Sequence, residues 1–68
     1  MDIVRLRVEA TEGVRVQVGQ RVEKGAVIGR RGEDEVAADK AGVVESIVFD
    51  GEKHEFEVVI RAELSMEV

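Results

Sequence analysis

The chain has no cysteine, and its only large aromatic side chains are Phe49 and Phe56. The absence of cysteine excludes disulfide bonds, zinc sites built on thiolates and catalysis by a thiol. No apolar run approaches the roughly 20 residues that a membrane-spanning helix needs, and no basic segment followed by an apolar one indicates a signal peptide. The sequence therefore predicts a cytoplasmic protein that does not insert into a membrane.

Positive charge is also scarce. The 68 residues carry 15 acidic and 10 basic side chains, which gives a net charge of −5 at pH 7. Surfaces that bind phosphate backbones are normally basic, and single strands are normally held by stacking on aromatic side chains. We therefore expect no nucleic-acid partner, although the number of turns also fits a small barrel that binds nucleic acid or oligosaccharide.

Apolar residues recur at every second position, which is the pattern of strands that bury one face. Residues 4–10 alternate in this way, and Val14, Val16 and Val18 repeat the pattern. No window of 11 residues has a clean apolar stripe at helical spacing. The sequence predicts an all-β fold without a long helix, in a single domain over 1–68, because a chain of this length supports one core.

Turns are predicted where glycines and charged residues interrupt the alternation. Residues 19–25 form a tight reversal around a single apolar residue, Val22, which we expect to fold back beneath the loop. Residues 29–35 form a polar hairpin. Asp50-Gly51 is a two-residue hairpin signal because both residue types adopt positive φ readily, and the last strand is predicted to start near His54.

The alternation continues from Phe56 to the end of the sequence. One straight strand of this length would extend about 40 Å at ~3.4 Å per residue, whereas a compact domain of this size is about 28 Å across. We therefore expect either a bulge near Ala62, with the remainder covering the edge beside residues 4–8, or an extended tail over 64–68 that pairs with a second copy. The residues of that homodimer contact would be Leu64, Met66 and Val68.

Two segments resemble the halves of a biotinyl/lipoyl domain. Residues 18–28, VGQRVEKGAVI, contain the G-x-x-V-x-x-G turn of that family, with Gln20 where an acid is usual. Residues 35–47, EVAADKAGVVESI, are similar to its E-V-x-A-P-x-x-G-V-V-x-x-I pattern, with Asp39 where proline is common. The resemblance implies a barrel-sandwich hybrid of about six to seven short strands, in which two small curved sheets are related by a pseudo-twofold axis.

The resemblance also bears on covalent modification. Lys40, in Asp39-Lys40-Ala41, resembles the tripeptide that accepts lipoate or biotin, but acceptors of the family stand at a hairpin tip. Glu35 occupies that tip position here, and a carboxylate cannot form the amide bond. The resemblance therefore implies an unmodified module without a cofactor, of the kind that serves as a docking or scaffold part of a larger complex. A lipoyl or biotinyl carrier modified at Lys40 is the alternative.

No group of residues predicts catalysis. A metal site can be drawn around His54, the only histidine, but a transition metal usually takes more than one nitrogen or sulfur ligand. We therefore expect no metal ion there and an exposed histidine. Residues 30–35 predict a solvated, charged tip that could select a partner by complementary charge. The predicted protein is not an enzyme and acts on a protein partner. In the metal site considered around His54, the carboxylates would be those of Asp50, Glu52 and Glu55.

Overall fold

The computed structural model describes residues 2–63, which form six β-strands and no helix. The all-β fold class predicted from the alternation is confirmed. Branched side chains favour extended backbone because their χ1 rotamers are already restricted, and they pack well on a pleated surface. The strands are β1 (Ile3–Glu9), β2 (Arg21–Val22), β3 (Val27–Arg31), β4 (Asp34–Ala37), β5 (Gly42–Asp50) and β6 (Glu55–Ala62).

The strands form two antiparallel sheets. The larger sheet is curled and has the order β1-β6-β5-β2, and the smaller sheet is the β3-β4 hairpin. β6 lies between two neighbours: it pairs with β1 from Glu55 to Arg61 and with β5 from Glu55 to Ala62. The last described strand is therefore central to the larger sheet.

The core lies between the two sheets and is made of small and branched side chains. Val8 of β1 and Ile28 of β3 are fully buried, and Val4 and Leu6 pack against the same cluster. The predicted inward face of β1 is thereby confirmed. The buried residues of the cluster are Val8, Val16, Val22, Ile28, Ala38, Val44, Val58 and Ile60.

A bulge at Glu45 resets the alternation of β5. Val44 and Ser46 pair with consecutive residues of β6, so Glu45 is an extra residue without a partner in that strand. The extra residue shifts which positions face the core. Ile47 consequently packs against the core, where strict alternation from Val44 would have placed Ser46. β6 itself pairs without an extra residue up to Ala62, so the bulge expected there is absent from the described part of the chain, and the expected covering of the β1 edge by residues 64–68 lies outside it.

Two backbones approach closely at Gly42, the first residue of β5. A Cβ atom at Gly42 would lie 2.9 Å from the Cα of Ala62 and closer still to the carbonyl oxygen of Arg61. Backbone atoms in a paired strand cannot move aside as the end of a flexible side chain can. Only glycine fits at this position.

Residues 14–18 do not form the predicted strand. Their backbone makes isolated contacts, such as the 2.9 Å hydrogen bond from the Arg15 N–H to the carbonyl of Ile28, instead of a ladder. Val16 is buried, but Val18 is 60% exposed. The segment crosses from β1 towards β2 and joins no ladder within residues 2–63, so one valine reaches the core although the segment is not a strand. Val22 is buried beneath its loop, as predicted.

The connection between β5 and β6 is longer than predicted. Asp50 pairs with Glu55, so residues 51–54 form a four-residue loop in place of a two-residue turn at Asp50-Gly51. Positive φ occurs at His54 (φ 54°), and neither Asp50 nor Gly51 adopts it. Asp50 Oδ1 instead accepts hydrogen bonds from the backbone N–H groups two and three residues ahead, at 3.0 and 3.3 Å. These two hydrogen bonds to the Asp50 side chain close the loop, whereas a tight hairpin is closed by hydrogen bonds between backbone groups.

Candidate functional site

The outer face of the larger sheet carries a row of three carboxylates. Glu9, Glu55 and Asp50 are direct neighbours across β1, β6 and β5. Arg7 Nη1 donates hydrogen bonds to Asp50 Oδ2 at 3.1 Å and to Glu55 Oε1 at 3.5 Å. Glu9 Oε1 accepts a 2.7 Å hydrogen bond from the backbone N–H of Gly32. Each carboxylate of the row therefore has a partner within the fold.

Arg7 dominates the electrostatics of this face. Its hydrogen bond to Asp50 lowers the pKa of the Asp50 carboxyl below the ordinary value, and the same bond raises the pKa of the guanidinium. Arg7 Nη2 also lies 3.5 Å from Glu57 Oε2, and Arg31 Nε of β3 lies 3.6 Å from Glu55 Oε2. These ion pairs connect three strands of the larger sheet with the β3-β4 hairpin. Within residues 2–63, no group of three or more histidine, aspartate or glutamate side chains could hold a metal ion.

The end of the β5-β6 hairpin carries an aromatic cluster. The ring centroid of Phe49 lies 5.4 Å from that of Phe56 and 6.0 Å from that of His54, which it meets edge-on. Phe56 packs against the core, but Phe49 is 52% exposed. This end of the hairpin therefore presents the aromatic side chain of Phe49 at the surface.

In the described residues, β5 is paired along only part of the edge that faces away from β6. β2 is two residues long and pairs with the first two residues of β5, and Val44 exchanges hydrogen bonds with residues just before β2. In the part of the chain that the structure describes, no strand pairs with residues 46–50 on the side away from β6. We call residues 46–50 the open edge. Val48, within it, is 56% exposed, and Phe49 lies on the opposite face of the strand.

β1, the strand at the other edge of the larger sheet, carries more charged residues than the open edge does. β1 places Arg5, Arg7 and Glu9 along its outer face, and Gly29 of β3 packs against Val8 on its inner face. Charged side chains on an edge strand disfavour pairing with a further strand. The open edge carries a single charged residue, Asp50. The two outer strands are therefore unequally protected against pairing.

Lys40 lies in the connection between β4 and β5, which joins the two sheets. Its Nζ is 2.9 Å from Asp2 Oδ2, and its side chain is 55% exposed. The hydrogen bond to Lys40 lowers the pKa of the Asp2 carboxyl. The structure thus brings Lys40 together with Asp2 and places it away from the turn of the β3-β4 hairpin, which is formed by Gly32 and Glu33.

The charged tip of the β3-β4 hairpin is partly used within the fold. The two strands extend into the polar loop predicted over 29–35 and leave two turn residues. Arg30 Nη2 donates a 3.0 Å hydrogen bond to the carbonyl of Glu33, and Arg31 faces Glu55 of β6. The acidic side chains at the tip are exposed, and they are Glu33, Asp34 and Glu35.

Val48 and Phe49 are functional candidates that sequence reasoning missed. The available signal was the apolar run over 47–49, which breaks the alternation on a strand that ends in a turn. His54 is exposed and lies beside this run. The predicted homodimer contact lies outside the described residues, and its members are Leu64, Met66 and Val68.

Comparison of the chain with protein-family models, with curated proteins and with solved structures finds no match. The resemblance to biotinyl/lipoyl domains therefore rests on residues 18–28 and 35–47 of the sequence. Residues 2–63 contain no helix with the length and apolarity that crossing a membrane requires. The open edge is the feature from which a function can be argued.

Proposed function

We propose that this chain is a non-catalytic docking module, a small β domain of biotinyl/lipoyl-like type that works through protein–protein contact as part of a larger assembly. The observation that carries the proposal is the open edge, which combines a strand side left unpaired within residues 2–63 with two exposed apolar side chains, Val48 and Phe49. Unpaired edges are recognised by addition of a further strand, with main-chain hydrogen bonds giving affinity and alternate side chains giving specificity.

The charged outer face supports docking over catalysis. General acid–base catalysis by two carboxyl groups needs surroundings that separate their pKa values, usually by raising one of them through burial. Here the pKa of Asp50 is lowered by Arg7, so this group stays ionised at neutral pH. The carboxylates of the row are engaged in ion pairs or backbone hydrogen bonds, which suits a structural role for them.

The test uses the tagged chain, residues 1–68, as bait in an extract of the source organism. Wild type is compared with Val48→Lys, which places a charge on the open edge, and with Val18→Lys, which changes an equally exposed valine elsewhere. We expect a protein, which could be an untagged copy of the chain, to be held by wild type and Val18→Lys and lost with Val48→Lys. The captured protein is identified by mass and rebound in purified form.

Identical capture by all three baits, or recovery of each bait alone at low and at high salt, would overturn the docking proposal. Folding of each variant is checked by its thermal unfolding midpoint, because a bait that has lost its structure would also lose its partners.

A further inference from the structure

We infer that the open edge pairs with the open edge of a second copy of this chain, antiparallel and about a twofold axis through Val48. The inference rests on the proposed docking function and names the partner at that surface. It does not involve residues 64–68. Three observations carry it: the direction of the backbone polar groups, the order of side chains along the edge, and the low charge of the segment.

The backbone argument starts at Val44. Its N–H donates to the carbonyl of Gln20 and its carbonyl accepts from the N–H of Gly19, so both groups point away from β6. Backbone polar groups alternate in direction along an antiparallel strand, and the extra residue at Glu45 shifts the alternation by one position. Ile47 and Phe49 therefore direct their N–H and C=O groups out of the open edge.

A twofold axis through Val48 places Ile47 of one copy opposite Phe49 of the other. Both residues direct their backbone groups outwards, so each such pair can exchange two hydrogen bonds, and the symmetric pair exchanges two more. Val48 then lies opposite Val48 of the second copy, at the close spacing of a pair that is not hydrogen-bonded. The pattern matches a symmetric, self-complementary contact.

The side chains fit the same register. Ile47 opposes Phe49 and Val48 opposes itself, so apolar groups meet apolar groups. Asp50, the one charged residue of the edge, opposes Ser46, and no like charges face each other. Moving the axis to Phe49 would instead set the Asp50 carboxylate against Val48. Opposed like charges or buried unpaired charges would disfavour pairing, and the register through Val48 avoids both.

The expected dimer dissociates on dilution. Stable complexes bury roughly 1,200–2,000 Å² in total, and a contact built on five residues from each copy is smaller than that. The experiment therefore follows the sedimentation of the purified full chain over a wide concentration range, together with residue-resolved amide hydrogen exchange. We expect the mass to rise towards that of a dimer, and the amides of Ile47 and Phe49 to gain protection as it does. The Val48 amide, which faces β6, should not change.

Val48→Lys should weaken the association roughly tenfold or more, because the introduced lysines of the two copies would face each other at the twofold axis. Val18→Lys is the matched control and should associate as wild type does. Mixing Val48→Lys with Val48→Glu should restore a dimer that neither variant forms alone. A chain without residues 64–68 should associate as the full chain does.

Three results would overturn the inference. They are a monomer at every concentration, association that is unchanged in Val48→Lys, and association that is lost on removing residues 64–68. In any of these cases the docking proposal still stands if an extract protein is held through Val48. Conversely, a dimer of the expected register with no further extract partner leaves self-association as the docking function.

Discussion

Gly29 lies directly against the side chain of Val8, such that a Cβ atom at Gly29 would stand 2.8 Å from both the Cβ and the Cγ1 of Val8. Val8 belongs to β1 of the larger sheet and Gly29 to β3 of the smaller sheet, and both residues are buried. The distance between the two sheets at this point therefore depends on the missing side chain of Gly29.

Gly29→Ala should lower the free energy of unfolding by about 1–3 kcal/mol, because the added methyl group overpacks the core. Adding Val8→Ala should make the loss smaller than the sum of the two single effects, since it removes the atoms that the methyl group meets. Gly51→Ala is the control: its Cβ would lie 3.6 Å from Phe49 Cε2, an ordinary contact, and we expect a change within about 0.5 kcal/mol. Urea unfolding is measured for wild type, Gly29→Ala, Val8→Ala, the double variant and Gly51→Ala, and additivity in the double variant would contradict the contact.

Loss of one methylene group should lower the free energy of unfolding more at Ile28 than at Ile3. Ile28 is fully buried, and Ile28→Val should lower the free energy of unfolding by about 0.5–1.5 kcal/mol. Ile3 is 42% exposed on an outer strand, and Ile3→Val should have a much smaller effect. Both changes remove the same atoms from a strand residue, so equal losses in chemical unfolding would contradict the described core.

At position 54, substitution by glycine should leave the protein more stable than substitution by alanine, although alanine is normally the more stabilising residue. His54 has a φ of 54°, where a Cβ costs about 1–2 kcal/mol and glycine is free of that cost. Both substitutions remove the imidazole from Phe49, so their comparison isolates the backbone. His54→Gly should unfold at a higher temperature than His54→Ala. At the neighbouring Lys53, where φ is not positive, the order should reverse.

Acid should destabilise the protein partly through Asp50. Arg7 lowers the folded-state pKa of this carboxyl below that of the unfolded chain, which is about 3.9. The stabilisation is therefore present above about pH 4 and is lost as the pH falls through the folded-state pKa. Arg7→Gln should flatten the decline of the urea midpoint below about pH 4. Arg5→Gln removes a more exposed arginine from the same face and should leave the slope nearly unchanged. Equal slopes in Arg7→Gln and wild type would refute the assignment.

Lys40 should stay unmodified when the chain is produced together with lipoate and biotin ligases. Acceptor lysines of the family that the sequence resembles stand at a hairpin tip, whereas Lys40 lies in the link between two sheets and contacts Asp2. Intact mass spectrometry gives the answer directly. An added lipoyl or biotinyl mass that disappears in Lys40→Arg would establish the carrier alternative in place of an unmodified module.

The alternation of apolar residues was enough to predict the strand class and the inward face of β1, and the isolated position of Val22 among charged residues was enough to predict its burial. The alternation failed at 14–18, because it records which side chains could share a face and contains no information on whether a neighbouring strand is present. The two-residue hairpin signal at Asp50-Gly51 also failed, because the aspartate side chain closes a longer loop there. The charged tip was located correctly. The ion-pair partner of Arg31 at this tip is Glu55, however, which lies in a strand more than 20 residues further along the sequence.

Local chemistry therefore determined what this chain is made of: branched residues in period two make it a β protein, and glycines and charged residues mark most of its turns. Tertiary structure decided the rest. Within residues 2–63, strand order leaves residues 46–50 without a partner on the side away from β6, and the bulge at Glu45 selects which backbone groups face outwards there. Pairing between distant segments sets both features, and the energy of such pairing depends on the whole sheet and not on any short stretch of sequence.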